Sequence, residues 1–227
     1  MNGDVTKKQD DAENATTGFV FEVVYGDDTA LERLTLQEAA IAPQGNDPLV
    51  AKRFKLGRVA AKRCFKQLGE LQCTVLRGDA GQPLFPQGFV GSISHTNDTA
   101  VAVVGRDAEF LSLGIDIENA NRVLHRSIIE RIGIGQEKQW IKDSPQKKSL
   151  MIFCAKESLY KALFPLHGKK MAFKDVATIW DEDNGTFICT LLTDFGAPWD
   201  AGATFLTLCQ EIDGFIIALT AIEMPAI

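Results

Sequence analysis

Two acidic side chains inside an apolar segment constrain this chain more than any other feature. In Leu113–Glu118, the acids Asp116 and Glu118 stand two residues apart and alternate with isoleucines. Because alternate residues of a strand share a face, both carboxylates would point one way while the isoleucines pack behind them. An exposed sheet edge would also explain two such acids, but the apolar flanks disfavour it. A buried strand with two acids must pair them or bind a metal, since an uncompensated buried charge is costly.

A second charged motif lies further along the chain, on a predicted helix. Glu157 and Lys161 stand four residues apart, a spacing that puts both on one helix face. The simplest interpretation is a helix ion pair of little energetic value, with Lys156 as a solvated neighbour. If the strand and the helix meet, however, three carboxylates and a lysine would hold a hard divalent cation and an anionic group beside it. Such a cluster is the outline of a phosphoryl-transfer site.

The composition bounds the class of protein. A chain of 227 residues, 45% of them apolar, can bury one large core or two small ones. Its formal charge of −6 argues against general affinity for nucleic acid, which needs a surplus of Lys and Arg. No apolar run approaches the length that spans a bilayer, and we expect residues 1–17, which are polar, to be a disordered lead-in. The five cysteines lack metal-like spacing and indicate reduced core residues of a cytoplasmic protein.

Periodicity and turn residues predict an α+β fold of two similar lobes. Strands are predicted at 19–25, 73–77, 91–95, 100–104, 113–118, 176–180, 187–192, 204–210 and 215–222, and short helices at 35–41, 127–134 and 136–142. One long helix begins at Pro48 and ends at Gly69, and a second runs over 146–164 between two prolines. We predict lobes at 18–112 and 113–227, each a small, mostly antiparallel sheet packed on a long helix.

The first long helix combines an apolar stripe with an unusual charge pattern. The stripe is Val50, Phe54, Gly57, Ala61, Cys64 and Leu68. Between residues 49 and 69 there are seven basic side chains and no acid: Lys52, Arg53, Lys55, Arg58, Lys62, Arg63 and Lys66. Solvated helix faces usually mix Glu with Lys, so a polyanionic partner is favoured over an ordinary solvated face.

A loop with one histidine ends a strand of the predicted first lobe. In Gly91–Thr96 small and hydroxylic residues surround His95, and such a turn can present backbone N–H groups, a hydroxyl and an imidazole to a phosphate. Taken alone, this histidine is more often a structural residue.

Taken together, these segments resemble the 4′-phosphopantetheinyl transferase superfamily, in its larger monomeric type and closest to the enterobactin-synthase branch. The resemblance covers residues 31–222 and is carried by Gly81–Pro86, Ser92–Thr96, Gly114–Glu118, Phe153–Pro165 and the basic helix. It implies transfer of the 4′-phosphopantetheine arm of coenzyme A to a serine of an apo acyl or peptidyl carrier protein. Adenosine 3′,5′-bisphosphate leaves. The resemblance also implies that the two lobes are related by a pseudo-twofold axis, with the active site in the cleft between them. Two alternatives stay open: a catalytically inactive coenzyme A-binding or carrier-docking protein, and a Mg²⁺-dependent phosphohydrolase.

The resemblance also implies roles for individual residues. Asp116, Glu118 and Glu157 would hold Mg²⁺, Glu157 would accept the serine proton, and Lys161 would contact the transferring phosphate, with Lys156 as a weaker candidate for that contact. The implied coenzyme A contacts are Arg53, Arg58, Lys62, Gly81, Pro83, Ser94, His95 and Lys161. The chain departs from the family's usual residues at Val50, Gln82 and Phe85, which affects the adenine and 3′-phosphate contacts. The resemblance leaves open which carrier is served, in siderophore, nonribosomal peptide, polyketide or fatty-acid synthesis.

Overall fold

The first half of the chain forms a small sheet covered by a long helix. The computed structural model of the chain describes residues 18–26 and 33–225. The elements of this half are β1 (Phe19–Tyr25), α1 (Leu36–Ala40), α2 (Pro48–Gln67), β2 (Leu76–Arg77), β3 (Pro83–Leu84), β4 (Phe89–His95) and β5 (Thr99–Arg106). β1, β5 and β4 form an antiparallel sheet in that order, and β2 pairs with β3.

The second half forms a larger antiparallel sheet with its own long helix. Its elements are β6 (Phe110–Asn119), α3 (Arg126–Ile132), α4 (Glu137–Trp140), α5 (Pro145–His167), β7 (Val176–Asp181), β8 (Thr186–Leu191), β9 (Thr204–Ile212) and β10 (Phe215–Glu223). The strand order is β6-β10-β9-β8-β7, so the acidic strand β6 lies at an edge and pairs with β10.

Three apolar clusters hold these elements in layers. The helix α2 packs on one face of the first sheet, where it contacts Ala102. The next residues of β5, Val101 and Val103, point the other way and pack against Ile115 of β6, so the two sheets share a core. The helix α5 covers the far face of the second sheet, with Leu159 in that cluster. Because alternate residues of β5 enter different cores, this strand is buried on both faces.

The predicted α+β class and the predicted antiparallel sheets are confirmed. Eight of the nine predicted strands and both long helices lie where the sequence places them, within a few residues at their ends. All five cysteines are free thiols and four are buried. Within the described ranges, no helix combines the length and the apolar character needed to cross a membrane. The pseudo-twofold relation stays a prediction, residues 1–17 lie outside the described residues, and the proposed boundary at 112/113 falls inside β6.

Three local predictions are wrong. The strand expected at 73–77 is only Leu76–Arg77, because the backbone of Val75 is bonded to the side chains of Glu38 and Arg58 instead of to a strand. Val50 is 42% exposed, since the first turns of α2 border an open cavity. The helix α5 continues past Pro165 to a left-handed Gly168, because a proline this close to the helix end removes few hydrogen bonds.

The backbones of β6 and α5 approach each other most closely at Gly114. A methyl group at this position would overlap the carbonyl oxygen of Ser158 and would lie 2.6 Å from the amide nitrogen of Ala162. The Ser158 hydroxyl donates to the Gly114 carbonyl oxygen at 3.0 Å. Only glycine therefore permits this contact, which brings the acidic strand onto the helix that carries Glu157 and Lys161.

We expect Gly114→Ala to lower the free energy of unfolding by roughly 3 kcal/mol or more, because two backbone segments would have to separate. Urea denaturation measures this change. Gly45→Ala is the matched control, because a methyl group at Gly45 meets no atom within 4 Å. Equal stabilities of the two variants would contradict the tight contact.

Candidate functional site

Three elements meet at one carboxylate oxygen. Asp116 on β6 is 5% exposed, and its Oδ1 accepts hydrogen bonds from the Lys161 ammonium and from the Ser94 hydroxyl, both at 2.7 Å. Lys161 also donates to the Ile115 carbonyl oxygen at 3.1 Å. The acidic strand, the helix α5 and the histidine loop therefore come together, as the sequence motifs require if they are to form one site.

The second oxygen of the Asp116 carboxylate lacks a partner. Oδ2 is buried and has no hydrogen-bond donor within the described part of the chain. A buried carboxylate oxygen without a partner is unusual in a folded protein, because the lost hydration is not replaced. An electropositive ligand at this oxygen would restore that balance.

Glu157 and Glu118 add negative charge around Asp116. Burial raises the pKa of Glu157, and the negative charge of Asp116 raises it further, while Lys161 opposes the shift. Burial likewise raises the pKa of Glu118, against the hydrogen bond from Arg122. These acids therefore interact unfavourably with one another, which is typical of a site that binds a cation.

The three acids do not converge on a single point. Residues 18–26 and 33–225 contain no group of three or more His, Cys, Asp or Glu side chains at metal-binding spacing. The Asp116 carboxylate bonds to Lys161 and the Glu118 carboxylate pairs with Arg122, and these bonds turn the two groups toward different partners. An unsatisfied buried oxygen beside two further carboxylates still fits Mg²⁺, which takes few protein ligands and retains waters.

Lys156 lies away from this cluster. Its ammonium is fully buried and donates to the Ile132 carbonyl oxygen at 2.9 Å, to Glu137 Oε2 at 2.9 Å and to the Phe173 carbonyl oxygen at 3.0 Å. Burial lowers the pKa of Lys156, and Glu137 opposes that shift. All three N–H donors are used, and we do not carry Lys156 into the site. A one-residue step along a helix turns a side chain by about 100°, so neighbours of Glu157 in sequence face elsewhere.

Two adjoining cavities lie near the cluster, and Glu118 lines one of them. The first, of about 470 Å³, is lined by Arg53, Arg58, Arg77, Gly81, Pro83 and His95, among others. The second, of about 730 Å³, is lined by Arg53, His95, Asn97, Glu118, Arg122 and Phe215, among others. Arg53 and His95 border both, so the basic cavity continues into the one lined by Glu118.

The predicted basic residues divide between these cavities and other places. Arg58 is buried, donates to the carbonyl oxygens of Val75 and Leu76 at 2.8 and 2.9 Å, and stacks on Phe54. Burial lowers its pKa to about 10, against the favourable charge of Glu38. Lys62 instead donates to the Arg33 carbonyl oxygen and lines a separate cavity.

His95 faces the place where the two cavities join. The protein around the ring excludes enough water to lower its pKa, which favours the neutral imidazole. Sequence reasoning singled out His95 but missed Arg77, Asn97 and Arg122. Of these three, Asn97 had a signal in the sequence, because it lies in the turn directly after His95. In the structure its side-chain oxygen accepts a hydrogen bond from Arg53.

Both halves of the chain match models of known families. The 4′-phosphopantetheinyl transferase N-terminal domain matches residues 49–105, and the 4′-phosphopantetheinyl transferase superfamily matches residues 112–220. The second match contains the Asp116–Glu118 strand and the Glu157–Lys161 helix. The predicted superfamily is therefore confirmed.

Curated relatives extend these matches along most of the chain. The 4′-phosphopantetheinyl transferase Npt of Nocardia iowensis is 31% identical over 209 residues, which cover 84% of this chain and 93% of the relative. The 4′-phosphopantetheinyl transferase PptT of Mycobacterium tuberculosis is 33% identical over 189 residues, or 73% of this chain and 82% of the relative. Enterobactin synthase component D of Salmonella typhimurium is 39% identical over a shorter stretch of 114 residues, 47% of this chain and 45% of the relative.

We expect Lys156→Met to lower the free energy of unfolding by about 3–5 kcal/mol, because it leaves the buried Glu137 carboxylate without its counter-ion. Chemical denaturation measures the loss. Lys138→Met, at an exposed position of α4, is the matched control and should change stability by less than about 0.5 kcal/mol. A Lys156→Met protein as stable as the control would contradict a buried ion pair here.

Proposed function

The chain belongs to the 4′-phosphopantetheinyl transferase superfamily and is a transferase of that class, and we propose that it modifies an apo acyl or peptidyl carrier protein. It would transfer the 4′-phosphopantetheine arm of coenzyme A to a serine hydroxyl of the carrier and release adenosine 3′,5′-bisphosphate. The observation that carries the proposal is the Asp116 carboxylate, held by Lys161 and Ser94 with one buried oxygen unsatisfied, next to a cavity with basic walls. The site would lie in the cleft between two pseudo-twofold-related lobes.

Coenzyme A fits the charge of the two cavities. It carries a 3′-phosphate and a diphosphate, and the first cavity offers Arg53, Arg58 and Arg77. We place the nucleotide end there, with Gly81 and Pro83 shaping the wall, and the diphosphate near His95, where the cavities join. Ser94 bonds to Asp116, so it would position that acid and not hold a phosphate. Lys62 lines another cavity, and we leave it out of the proposed contacts.

Asp116, Glu118 and Glu157 would hold Mg²⁺ beside the diphosphate. Bound there, the ion would supply Lewis-acid stabilisation of the charge on the diphosphate oxygens. These three acids lie in one charged cluster, and one oxygen of Asp116 is unsatisfied. Both observations support this assignment.

Lys161 and Glu157 would act on the reacting atoms. The serine oxygen forms a bond to the β-phosphorus, the bond from that phosphorus to the bridging oxygen breaks, and the bridging oxygen leaves with the nucleotide. Two of the three N–H donors of Lys161 bond to Asp116 and Ile115, which aims the ammonium and leaves the third for a phosphoryl oxygen. The raised pKa of Glu157 suits it to accept the serine proton.

The wider setting of the reaction is also part of the proposal. We infer a monomeric enzyme of the cytoplasm, where its five free thiols stay reduced. Its carriers would belong to siderophore, nonribosomal peptide, polyketide or fatty-acid synthesis.

A transfer assay tests the proposal. We expect the purified protein, with coenzyme A and Mg²⁺, to add one phosphopantetheine unit to an apo carrier, as seen by intact-protein mass spectrometry. A chelator should abolish the mass gain, and excess Mg²⁺ should restore it, because the acids alone cannot neutralise a diphosphate. Coenzyme A binding without a mass gain on any carrier of a broad panel would favour an inactive binding protein. Cleavage of coenzyme A without a carrier would indicate a phosphohydrolase.

We expect Glu157→Gln to lower the transfer rate by about 10²–10⁴-fold, because the amide cannot accept the serine proton. Coenzyme A affinity, measured by calorimetry without metal, should change by less than about threefold, since Glu157 makes no proposed contact with the nucleotide. Glu182→Gln, in the exposed turn after β7, is the control and should keep the wild-type rate. Full turnover in Glu157→Gln would remove this residue from the mechanism.

A further inference from the structure

Arg122 forms an ion pair with Glu118, one of the proposed metal ligands. It follows the end of β6, four residues after Glu118, and its guanidinium Nη1 is paired with Glu118 Oε1. The Glu118 side chain is 16% exposed and that of Arg122 is 39% exposed, so the pair lies at the cavity wall and not in bulk solvent. Both residues line the second cavity.

The guanidinium is held from a second side by α5. The Phe153 ring lies under it, with 5.3 Å between the ring centroid and Arg122 Cζ. A guanidinium over an aromatic face is attracted by the ring's quadrupole, and the contact restricts the side chain's rotamers. Phe153 stands one turn before Glu157 on the same helix. Arg122 is therefore fixed between the strand and the helix that carry the acids.

This placement has a direct consequence for a cation. A carboxylate oxygen bonded to a guanidinium is a weaker ligand for a metal ion, and the guanidinium also repels a nearby cation. Asp116 has an available oxygen, whereas Glu118 is turned to Arg122. This pairing accounts for the failure of the acids in the described ranges to form a convergent metal-binding group.

We propose that Arg122 competes with the divalent cation for Glu118 and thereby sets how tightly the site binds it. The inference rests on the proposed function, since it concerns the same acids. A cation that takes Glu118 Oε1 as a ligand must displace the guanidinium, and one that takes Oε2 is repelled by its charge. Arg122 is thus a positioning residue that acts through Glu118, and its removal should tighten cation binding.

Direct cation binding tests the inference without using turnover. Mn²⁺ is titrated by calorimetry into the wild-type protein, Arg122→Gln and Arg126→Gln. We expect Arg122→Gln to bind Mn²⁺ about tenfold more tightly, the effect of removing one half-buried ion pair and one repulsive charge. Arg126 pairs with Glu130 in an exposed position on α3, so Arg126→Gln should bind like the wild type. Equal affinities of Arg122→Gln and the wild type would overturn the inference.

A double-mutant cycle separates competition from simple charge repulsion. In a Glu118→Gln background the guanidinium has no carboxylate to occupy and acts on the cation only through its charge, so adding Arg122→Gln should tighten Mn²⁺ binding clearly less than it does in the wild-type background. Equal tightening in both backgrounds would mean that Arg122 acts only through its charge, and would overturn the inference.

The transfer assay on the same preparations keeps the two proposals apart. If the wild-type protein transfers the arm but Arg122→Gln binds Mn²⁺ no more tightly than the wild type, only the inference about Arg122 is wrong. A wild-type protein that does not transfer it removes the proposed function. If neither the wild type nor Arg122→Gln binds Mn²⁺, the inference falls, and the transfer assay alone decides the proposed function.

Discussion

The close contact between β6 and α5 is the constraint on which the rest of the site depends. At Gly114 the strand lies so near the helix that the Ser158 hydroxyl reaches the strand's carbonyl oxygen. One helical turn further, the Lys161 ammonium reaches over the same strand to Ile115 and Asp116. A larger residue at position 114 would lift the strand off the helix and separate these groups. A backbone contact that has no chemistry of its own thus joins two motifs that are distant in sequence.

The two faces of α5 show opposite solutions to buried charge. On one face Lys156 and Glu137 are fully compensated, because every donor of the ammonium has an acceptor and Glu137 also accepts from the backbone and hydroxyl of Thr178. On the other face Asp116 keeps an unsatisfied oxygen. The same helix borders both charged groups. Packing against it could therefore have supplied a partner for the second oxygen of Asp116 as well. The deficit of positive charge is therefore characteristic of the cluster around Asp116, as expected for a site completed by a ligand.

Residue spacing within one strand or helix predicted the features that depend on that element alone. It failed to predict contacts between two elements. The two-residue alternation in β6 placed Asp116 correctly, and the four-residue spacing placed Glu157 and Lys161 on one helix face. The same motif could not show that Lys156 points away, because that depends on where Glu137 lies after folding. The sequence likewise could not show that Arg122 pairs with Glu118, since that requires a turn at the end of β6 and the Phe153 ring beneath it.

The basic helix shows that each basic residue must be located in the fold before a binding partner is inferred from its charge. Its seven basic residues without an acid favoured a polyanion, yet only Arg53 and Arg58 line the cavity beside the acids. Lys62, one turn beyond Arg58, bonds to the Arg33 carbonyl oxygen on another surface. Arg58 and Lys62 share a helix face, but they lie about 6 Å apart along the helix axis, so they border different cavities. The local field that attracts an anion therefore comes from the side chains that converge with Arg77, which belongs to a different element.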